Sequence, residues 1–427
     1  MTEDRDIGLP ARRAAIDILS ASLARRAGLD EALSRPLFKG LPPRDRGFAM
    51  ALAMATLRRL GAIDRALDAK LAKAPPDGVR DILRIGVAQA FLMDTPAFAA
   101  VTTSVDLAAS HSSTRAFKGL VNAVLRGLLR EPPNLDDPES ICPPWLFARW
   151  SAAFGPDAAR AMGTLIADEP ATDLSFKSPE AAQALAAEME GEVLEGGALR
   201  TPRKGDVATW PAYDQGLWWV QDVSAAVPAR LLDVKAGEDV LDMCAAPGGK
   251  TLQLAAAGAK VVAIDRSAAR LTRVAENFQR MGLEAETIAA DAGDWADERL
   301  FDAVLLDAPC SATGTYRRHP DVLWAARPSD VAALAGVQSR LLDSAAGRVK
   351  PGGRLVYCVC SLEPEEGEGQ VGAFLSRHPE FSLAPAKPGE GGAPEASLLA
   401  DGTLRLLPHQ RPGGQDGFYV ARFVRGT

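Results

Sequence analysis

The stretch Val240-Leu-Asp-Met-Cys-Ala-Ala-Pro-Gly-Gly-Lys-Thr251 limits what this chain can fold into more than any other. Its pattern predicts a short buried strand stopping at Asp242, a tight loop of small residues, and a helix from about Thr251. A strand feeding a Gly-rich turn and then a helix is how a doubly wound α/β domain opens its cofactor crevice. Glycine lets the backbone approach a ligand closely, and the helix N-terminus offers unpaired N–H groups beside it. The loop is not G-x-G-x-x-G, so a dinucleotide is not indicated. It also misses the ATPase pattern G-x-x-x-x-G-K-[ST] by one residue, because Cys244 stands where the first Gly belongs.

The rest of the C-terminal half keeps the same alternation. Strands are predicted over residues 239–242, 260–264, 286–290, 303–306 and 354–357. Helices are predicted over 266–281 and 329–348, the latter stopped by Pro351-Gly-Gly. Open parallel sheets bind ligands at the carboxyl ends of their strands. Here those ends carry Asp242, Asp265, Asp291, Asp307 with Pro309-Cys310, and Cys360. A lone Asp after a strand is usually a helix cap or turn residue. Four in register, followed by two thiols on neighbouring loops, point to a ligand. Asp265 is placed to meet a ribose diol, and Asp291 opens a loop where an adenine amino group could be met. A cofactor with ribose and adenine but no required phosphate site is implied; S-adenosylmethionine fits. Alternating runs at 403–407 and 417–424 close the chain as an antiparallel edge hairpin.

Residues 11 to about 130 read as helices throughout, broken at Leu41-Pro-Pro, Ala74-Pro-Pro and Thr95-Pro. Ala15, Ile18, Leu19, Ser22 and Leu23 mark one apolar face, and Leu83, Val87, Ala90 and Phe91 another. Phe117, Leu120, Val121, Val124, Leu125 and Leu128 form the clearest stripe. On the far side of that helix Lys118, Asn122, Arg126 and Arg130 stand in one row, either a solvated face or a phosphate-tracking stripe. Residues 131–144 have linker composition. A small α+β module is expected from 145 to 235, with a helix near 181–190 and extended pieces near 172–176, 197–201 and 217–220.

A chain of 427 residues is enough for two or three domains. The net charge of −7 argues against a surface coated in positive potential, so any nucleic-acid site must be a local patch. The polar start, Met1 to Pro10, is not a signal peptide, and no apolar run is long enough to span a bilayer. Cys142, Cys244, Cys310, Cys358 and Cys360 do not form a secreted disulfide framework, and a cytoplasmic address is expected. Cys358 and Cys360 with Cys310 and His319 lack a C-x2-C pair and a matched second half, so no metal is expected. By alternation Cys358 points opposite to Val359 and should be buried and inert, whereas Cys360 falls just past the strand end.

These residues resemble a known family. The loop Cys244-Ala-Ala-Pro-Gly-Gly-Lys250, with Asp307-Ala-Pro-Cys-Ser311 and Cys358-Val-Cys-Ser361, resembles the RNA cytosine-5 methyltransferases. Arg317-Arg-His-Pro-Asp321 and the stretch from Gln410 to Asp416-Gly-Phe-Tyr419 look like further family blocks. Pro43-Arg-Asp-Arg-Gly47, Asp81-Ile-Leu-Arg-Ile-Gly86 and Val121-Asn-Ala-Val-Leu-Arg126 are similar to the NusB-type RNA-binding helical domain. The combination, covering nearly the whole chain, resembles the bacterial 16S ribosomal RNA enzymes of the RsmB/Sun/Fmu family.

The resemblance implies a multi-domain fold. A NusB-like all-α bundle would span 1–135 and a small α+β module 145–235. A Rossmann-like α/β methyltransferase domain would span 236–427 and end in the antiparallel hairpin. It implies that Cys244, Ala245, Ala246, Pro247, Gly248, Gly249, Lys250, Asp265, Asp291 and Asp307 contact S-adenosylmethionine. Cys360 would be the nucleophile and Cys310 would assist release of the methylated base. Adding a thiolate at carbon-6 of a pyrimidine makes carbon-5 enamine-like and reactive, and such a thiolate needs a local positive field. Lys250, Arg317 and Arg318 are candidates for that field, and Lys118, Arg126, Arg130, Arg317 and Arg318 for contacts to RNA. The chain departs from the family at Ala312, where Gly is usual, and at Cys358-Val359, where Ala-Thr is commoner. A monomer acting on 16S ribosomal RNA is expected. The alternatives are the same chemistry on transfer RNA, or a non-catalytic NusB-like RNA-binding assembly factor.

Overall fold

The computed structural model describes residues 8–24 and 28–427; the first seven residues of the polar start lie outside them. The chain forms two compact units. One comprises Met1–Glu169 with Tyr316–Ala325, the other Pro170–Thr315 with Ala326–Thr427.

The first unit is helical. Helices Pro43–Arg58, Asp77–Leu92 and Ala97–Ser110 begin at the proline breaks, with Pro42, Pro76 and Pro96 as their N-cap residues. A proline fits there because its fixed φ suits the helix entry and its missing N–H would have had no partner. Ala15, Ile18 and Leu19 of one helix, Leu83 and Val87 of another, and Val121 and Leu125 of Lys118–Arg130 are all buried. The predicted linker at 131–144 is no boundary in the structure. The helices that follow it, Pro144–Phe154 and Pro156–Ala167, belong to this unit rather than to the small module. Arg58 Nη1 donates to the Ile166 carbonyl at 3.2 Å.

Ten residues from far along the chain complete this unit. Tyr316 stacks on Trp150 with ring centroids 5.5 Å apart and donates its hydroxyl to the Met162 carbonyl at 2.8 Å. The Leu29 amide donates to Asp321 Oδ2 at 3.1 Å. The family block around Arg317 is therefore built into the helical unit.

The second unit holds two sheets. The smaller consists of β1 (Thr172–Phe176), β2 (Glu192–Val193), β3 (Leu199–Thr201) and β4 (Trp218–Val220), in the order β2-β3-β1-β4. Its inner face packs Leu174, Met189, Leu199, Trp210 and Trp218. The larger sheet contains β5 (Asp239–Met243), β6 (Lys260–Asp265), β7 (Glu286–Ala289), β8 (Phe301–Asp307), β9 (Val349–Val359), β10 (Phe381–Leu383), β11 (Leu404–Leu406) and β12 (Phe418–Arg425). Its order is β10-β12-β9-β8-β5-β6-β7, with β11 paired to β12. Strands β5 to β9 run parallel, and β10, β11 and β12 are antiparallel to their neighbours.

Two details differ from the sequence reading. The closing hairpin forms, but β12 is not an edge: it pairs with β9 on one side and with β10 and β11 on the other. Pro351-Gly-Gly lies inside β9 rather than before it, where the register slips so that Val349 faces Phe301 and Arg354 faces Ala303. A bulge accommodates a proline in an otherwise central strand.

Alternation along the strands divides the core. Leu241, Met243, Val304, Leu306, Tyr357 and Val359 bury on one face, and Val240, Leu305, Val356 and Cys358 on the other. Consecutive residues of one strand thus enter opposite layers. The chain fills the sheet outward from β5 through β6 to β7, then returns to place β8 on the other side of β5. That reversal makes the carboxyl ends of β5 and β8 the crevice of the fold.

The small sheet is pinned by a buried ion pair. Asp173 accepts from Arg200 Nε at 2.7 Å and Nη2 at 2.9 Å, and from the Val223 amide at 3.1 Å. Removing one partner leaves a buried charge uncompensated. Asp173→Ala is expected to lower stability by about 3–5 kcal/mol, read as a fall in the urea midpoint of purified protein.

Candidate active site

The crevice between β5 and β8 is bridged by charge. Lys250, at the start of helix Gly249–Ala256, donates from Nζ to Asp307 Oδ2 at 2.7 Å. Burial pulls the ammonium's pKa down, but Asp307, Cys358 and Cys360 more than offset it, and the group titrates above its ordinary value. The same cation lies over the Phe418 ring, 5.1 Å from its centroid.

The loop before the helix is shaped by the protein around it. Gly248 has φ +97°, and a Cβ there would sit 3.1 Å from Val274. At Gly249 a Cβ would approach Gln221 to 3.3 Å. Gly248 is favoured by its backbone conformation, and at either position a side chain would force its neighbour to give by a few tenths of an ångström. Cys244 adopts φ +64°, a conformation that side-chain-bearing residues rarely take. Burial, reinforced by the surrounding carboxylates, pushes its thiol pKa up to about 12.

The four aspartates occupy different settings. Asp242 is buried, its Oδ2 accepts from Thr251 Oγ1 at 2.6 Å, and its Oδ1 has no hydrogen-bond partner. Burial raises its pKa to about 7. Asp265 accepts from the Ala246 amide at 3.1 Å and the Ser267 amide at 2.9 Å, holding the loop to the end of β6. Arg270 donates to the Ala246 carbonyl and lies 3.6 Å from Asp265. Asp291 is exposed and accepts from the Gly293 amide at 2.8 Å. These groups suit an S-adenosylmethionine molecule. Asp265 keeps lone pairs for hydroxyl donors, and the partnerless Asp242 oxygen is an acceptor awaiting an N–H or cationic group.

The thiols lie on the next strand ends. Cys310 and Cys360 bring their sulfur atoms to 3.5 Å. Cys360 is half-buried, just past the end of β9. Cys310 has its thiol pKa raised well above the ordinary value, first by its hydrogen bond to Cys360 and then by burial and the Cys360 and Glu366 charges. Cys358 is fully buried, as alternation predicted, yet its Sγ is 3.4 Å from Asp307 Oδ1. Burial raises its pKa well above the usual range too, with Asp307 adding to the effect.

A polar cluster behind the thiols escaped the sequence reading. Glu366 is fully buried. Its Oε1 accepts from the Ser311 amide at 2.9 Å and from Gln338 Nε2 at 3.1 Å, and its Oε2 accepts from the hydroxyls of Ser311 and Ser361. Nothing in the run Glu363-Pro-Glu-Glu-Gly-Glu368 separates a buried carboxylate from a solvated acidic turn. Its spacing of six residues from Cys360 was the one available signal.

Of the cationic candidates, Lys250 reaches the thiols electrostatically, while Arg317 and Arg318 fall in the segment built into the helical unit. Arg317 is only 3% exposed, which corrects its expected contact with RNA phosphates: a buried guanidinium is not offered to a polyanion. Lys118, Arg126 and Arg130 are exposed along one helix face, with Arg126 Nε held by Asn122 Oδ1 at 2.9 Å.

Comparison with known proteins decides the family. The model described as 16S rRNA methyltransferase RsmB/F matches residues 229–424, and the NusB family model matches residues 9–130. The ribosomal RNA small subunit methyltransferase B of Pseudomonas putida is 38% identical, over 97% of this chain and 98% of its own length. That of Pseudomonas syringae pv. tomato is 37% identical, over 97% and 96%. The chain belongs to the RsmB/F family. The crystal structure of PH0851 superposes with a TM-score of 0.78 at 26% identity, covering 97% of this chain and 98% of that one. As an RsmB/F member the protein is a methyltransferase, and its methyl donor is S-adenosylmethionine. Among the described residues no helix is long and apolar enough to cross a membrane.

The Asp242 environment has a consequence for stability. Its folded pKa of about 7 lies above the ordinary 3.8. Between those values the unfolded chain ionises the group in water while the folded one retains the proton, so stability is lost as pH rises through this window. Asp242→Asn should flatten that fall. The thermal midpoint of the cofactor-free variant, measured from pH 4 to 8, is expected to decline less than that of the wild type.

Proposed function

We propose that this protein methylates carbon-5 of a cytosine in small-subunit ribosomal RNA, through a covalent bond between Cys360 and carbon-6 of the base. The observation that carries the reading is the 3.5 Å approach of the Cys310 and Cys360 sulfurs, next to the Lys250–Asp307 bridge. A nucleophilic cysteine needs a neighbouring positive charge and access to its substrate. Lys250 supplies the first, and the partial exposure of Cys360 the second.

Cys360 would add as a thiolate to carbon-6, opening the 5,6 double bond and making carbon-5 nucleophilic. The loop Cys244–Lys250 with Asp265, Asp291 and Asp307 would hold S-adenosylmethionine, which would supply an electrophilic methyl group there. Asp307, beside Cys358 and Lys250, is placed to border the base and take a hydrogen bond from its exocyclic amine. After transfer, a base from solvent would take the carbon-5 proton, its bonding pair would restore the 5,6 double bond, and the Cys360 sulfur would leave as a thiolate. Cys310, held protonated, would donate a hydrogen bond to the departing sulfur and so ease release.

The target base must be unpaired or turned out for a thiol to reach carbon-6. Lys118, Arg126 and Arg130 are proposed to contact RNA phosphates in one row. The reading takes the protein as a monomer working in the cytoplasm.

Four measurements bear on this. With labelled cofactor, naked 16S ribosomal RNA is expected to accept methyl groups and transfer RNA is not; the reverse result would assign the substrate to transfer RNA. Cys360→Ala should abolish transfer, and full complementation of a deletion strain by it would leave only an RNA-holding factor. Cys310→Ala should accumulate a covalent protein–RNA adduct on a denaturing gel, whereas Cys358→Ala should keep turnover within about threefold of wild type, because it packs in the core without touching the base.

A further inference from the structure

We propose that Glu366 is a positioning residue for this reaction, fixing the two catalytic thiols at working distance by gripping the residue that follows each of them. The proposal rests on the Cys360 reading above. Cys310 and Cys360 lie on different loops, fifty positions apart in sequence, and no disulfide joins them. The loops meet where the Gly314 amide donates to the Cys360 carbonyl and the Leu362 amide to Thr313 Oγ1, both at 3.0 Å; right beside the thiols, what holds both loops is one carboxylate. Ser311, next to Cys310, donates to Glu366 from both its amide and its hydroxyl. Ser361, next to Cys360, donates its hydroxyl to the same Oε2. The two hydroxyls, brought to one oxygen, are 3.1 Å apart.

The grip is itself braced. Gln338 Nε2 donates to Glu366 Oε1 and, at 3.0 Å, to the carbonyl of Pro309, which precedes Cys310. Tyr357 donates its hydroxyl to the Glu366 backbone carbonyl, tying the carboxylate's own turn to β9. Glu366 is fully buried and meets a serine amide, two serine hydroxyls and a glutamine amide, so its work is done by accepting hydrogen bonds. Four donors converge on an acceptor-only group. A glutamine of the same shape would turn part of that acceptor into a donor facing a hydroxyl or an N–H.

Such a role predicts effects on the thiol chemistry that a merely structural carboxylate would not have. The negative charge also helps keep Cys310 protonated, in the state needed to assist the departing sulfur. Loss of the grip should therefore impair adduct formation and its resolution while sparing the cofactor loop, which Glu366 does not touch.

The test uses full-length protein with RNA containing 5-fluorocytosine, which cannot lose its carbon-5 substituent and so traps the adduct. Wild type should form the adduct, and Glu366→Gln should form it at least tenfold more slowly, with the Kd for S-adenosylmethionine within twofold of wild type. In parallel, dibromobimane, which fluoresces when it bridges two neighbouring thiols, should label wild type readily and Glu366→Gln poorly, with Cys310→Ala as the blank. Adduct formation and thiol bridging at the wild-type rate in Glu366→Gln would overturn the proposal. So would a loss of activity matched by the lost folded fraction, with bridging unchanged. Should Glu366→Gln fail to fold, Ser361→Ala removes a single donor; reduced bridging and slower adduct formation support the grip, and wild-type values refute it. If wild type itself forms no adduct, the nucleophile reading fails, while the bridging comparison still decides whether Glu366 sets the thiol spacing.

Discussion

The second unit depends on a lysine brought into a crevice where an ammonium cannot stay charged alone. Lys250 is only 9% exposed, and moving a charge from water into such surroundings costs several kcal/mol unless a partner is in place. Asp307 is that partner, presented by the strand that the sheet's topology sets beside β5. The pair thus joins the cofactor loop to the strand leading to Cys310, and it does so only if β5 and β8 end at the same level. The observed register, Met243 beside Leu306, provides that. Cys358 at Asp307 extends the connection to β9, just past whose end lies the half-buried Cys360.

The two thiols at the end of this chain of contacts are chemically unlike. Both are half-buried; the thiol pKa of Cys310 is raised by its bond to Cys360 and by burial, while Cys360 lies within the field of Lys250. The carboxylate of Glu366 adds to the rise at Cys310 and the ammonium of Lys250 acts on Cys358 and Cys360, a difference in field that favours Cys360 as the nucleophile of the proposed reaction.

Much of this was legible in the residues. The strand–loop–helix at Val240–Thr251, the Asp at each strand end and the placement of Cys358 inside β9 with Cys360 just beyond it all follow from alternation and turn chemistry. Local patterns specify such features because each is decided within a few positions. What escaped was set by distant contacts. The burial of Glu366 depends on donors from Ser311 and Gln338, which no local periodicity reports. The inward place of β12 depends on its pairing with β9, since an alternating strand looks the same at an edge or in the middle. Arg317 read as a surface cation because Arg-Arg-His is a polar run, yet its segment closes the helical core.

That segment has a bearing on how the chain is made. Helices up to residue 167 emerge first from the ribosome, but the Trp150 ring and the Met162 carbonyl meet their partner only when Tyr316 arrives. Roughly 150 residues must be synthesised in between, on the order of ten to thirty seconds at bacterial elongation rates. For that interval the nascent helical unit lacks the ring and the hydroxyl that Tyr316 brings to Trp150 and Met162, while the cofactor loop and strands β5 to β8 are being made.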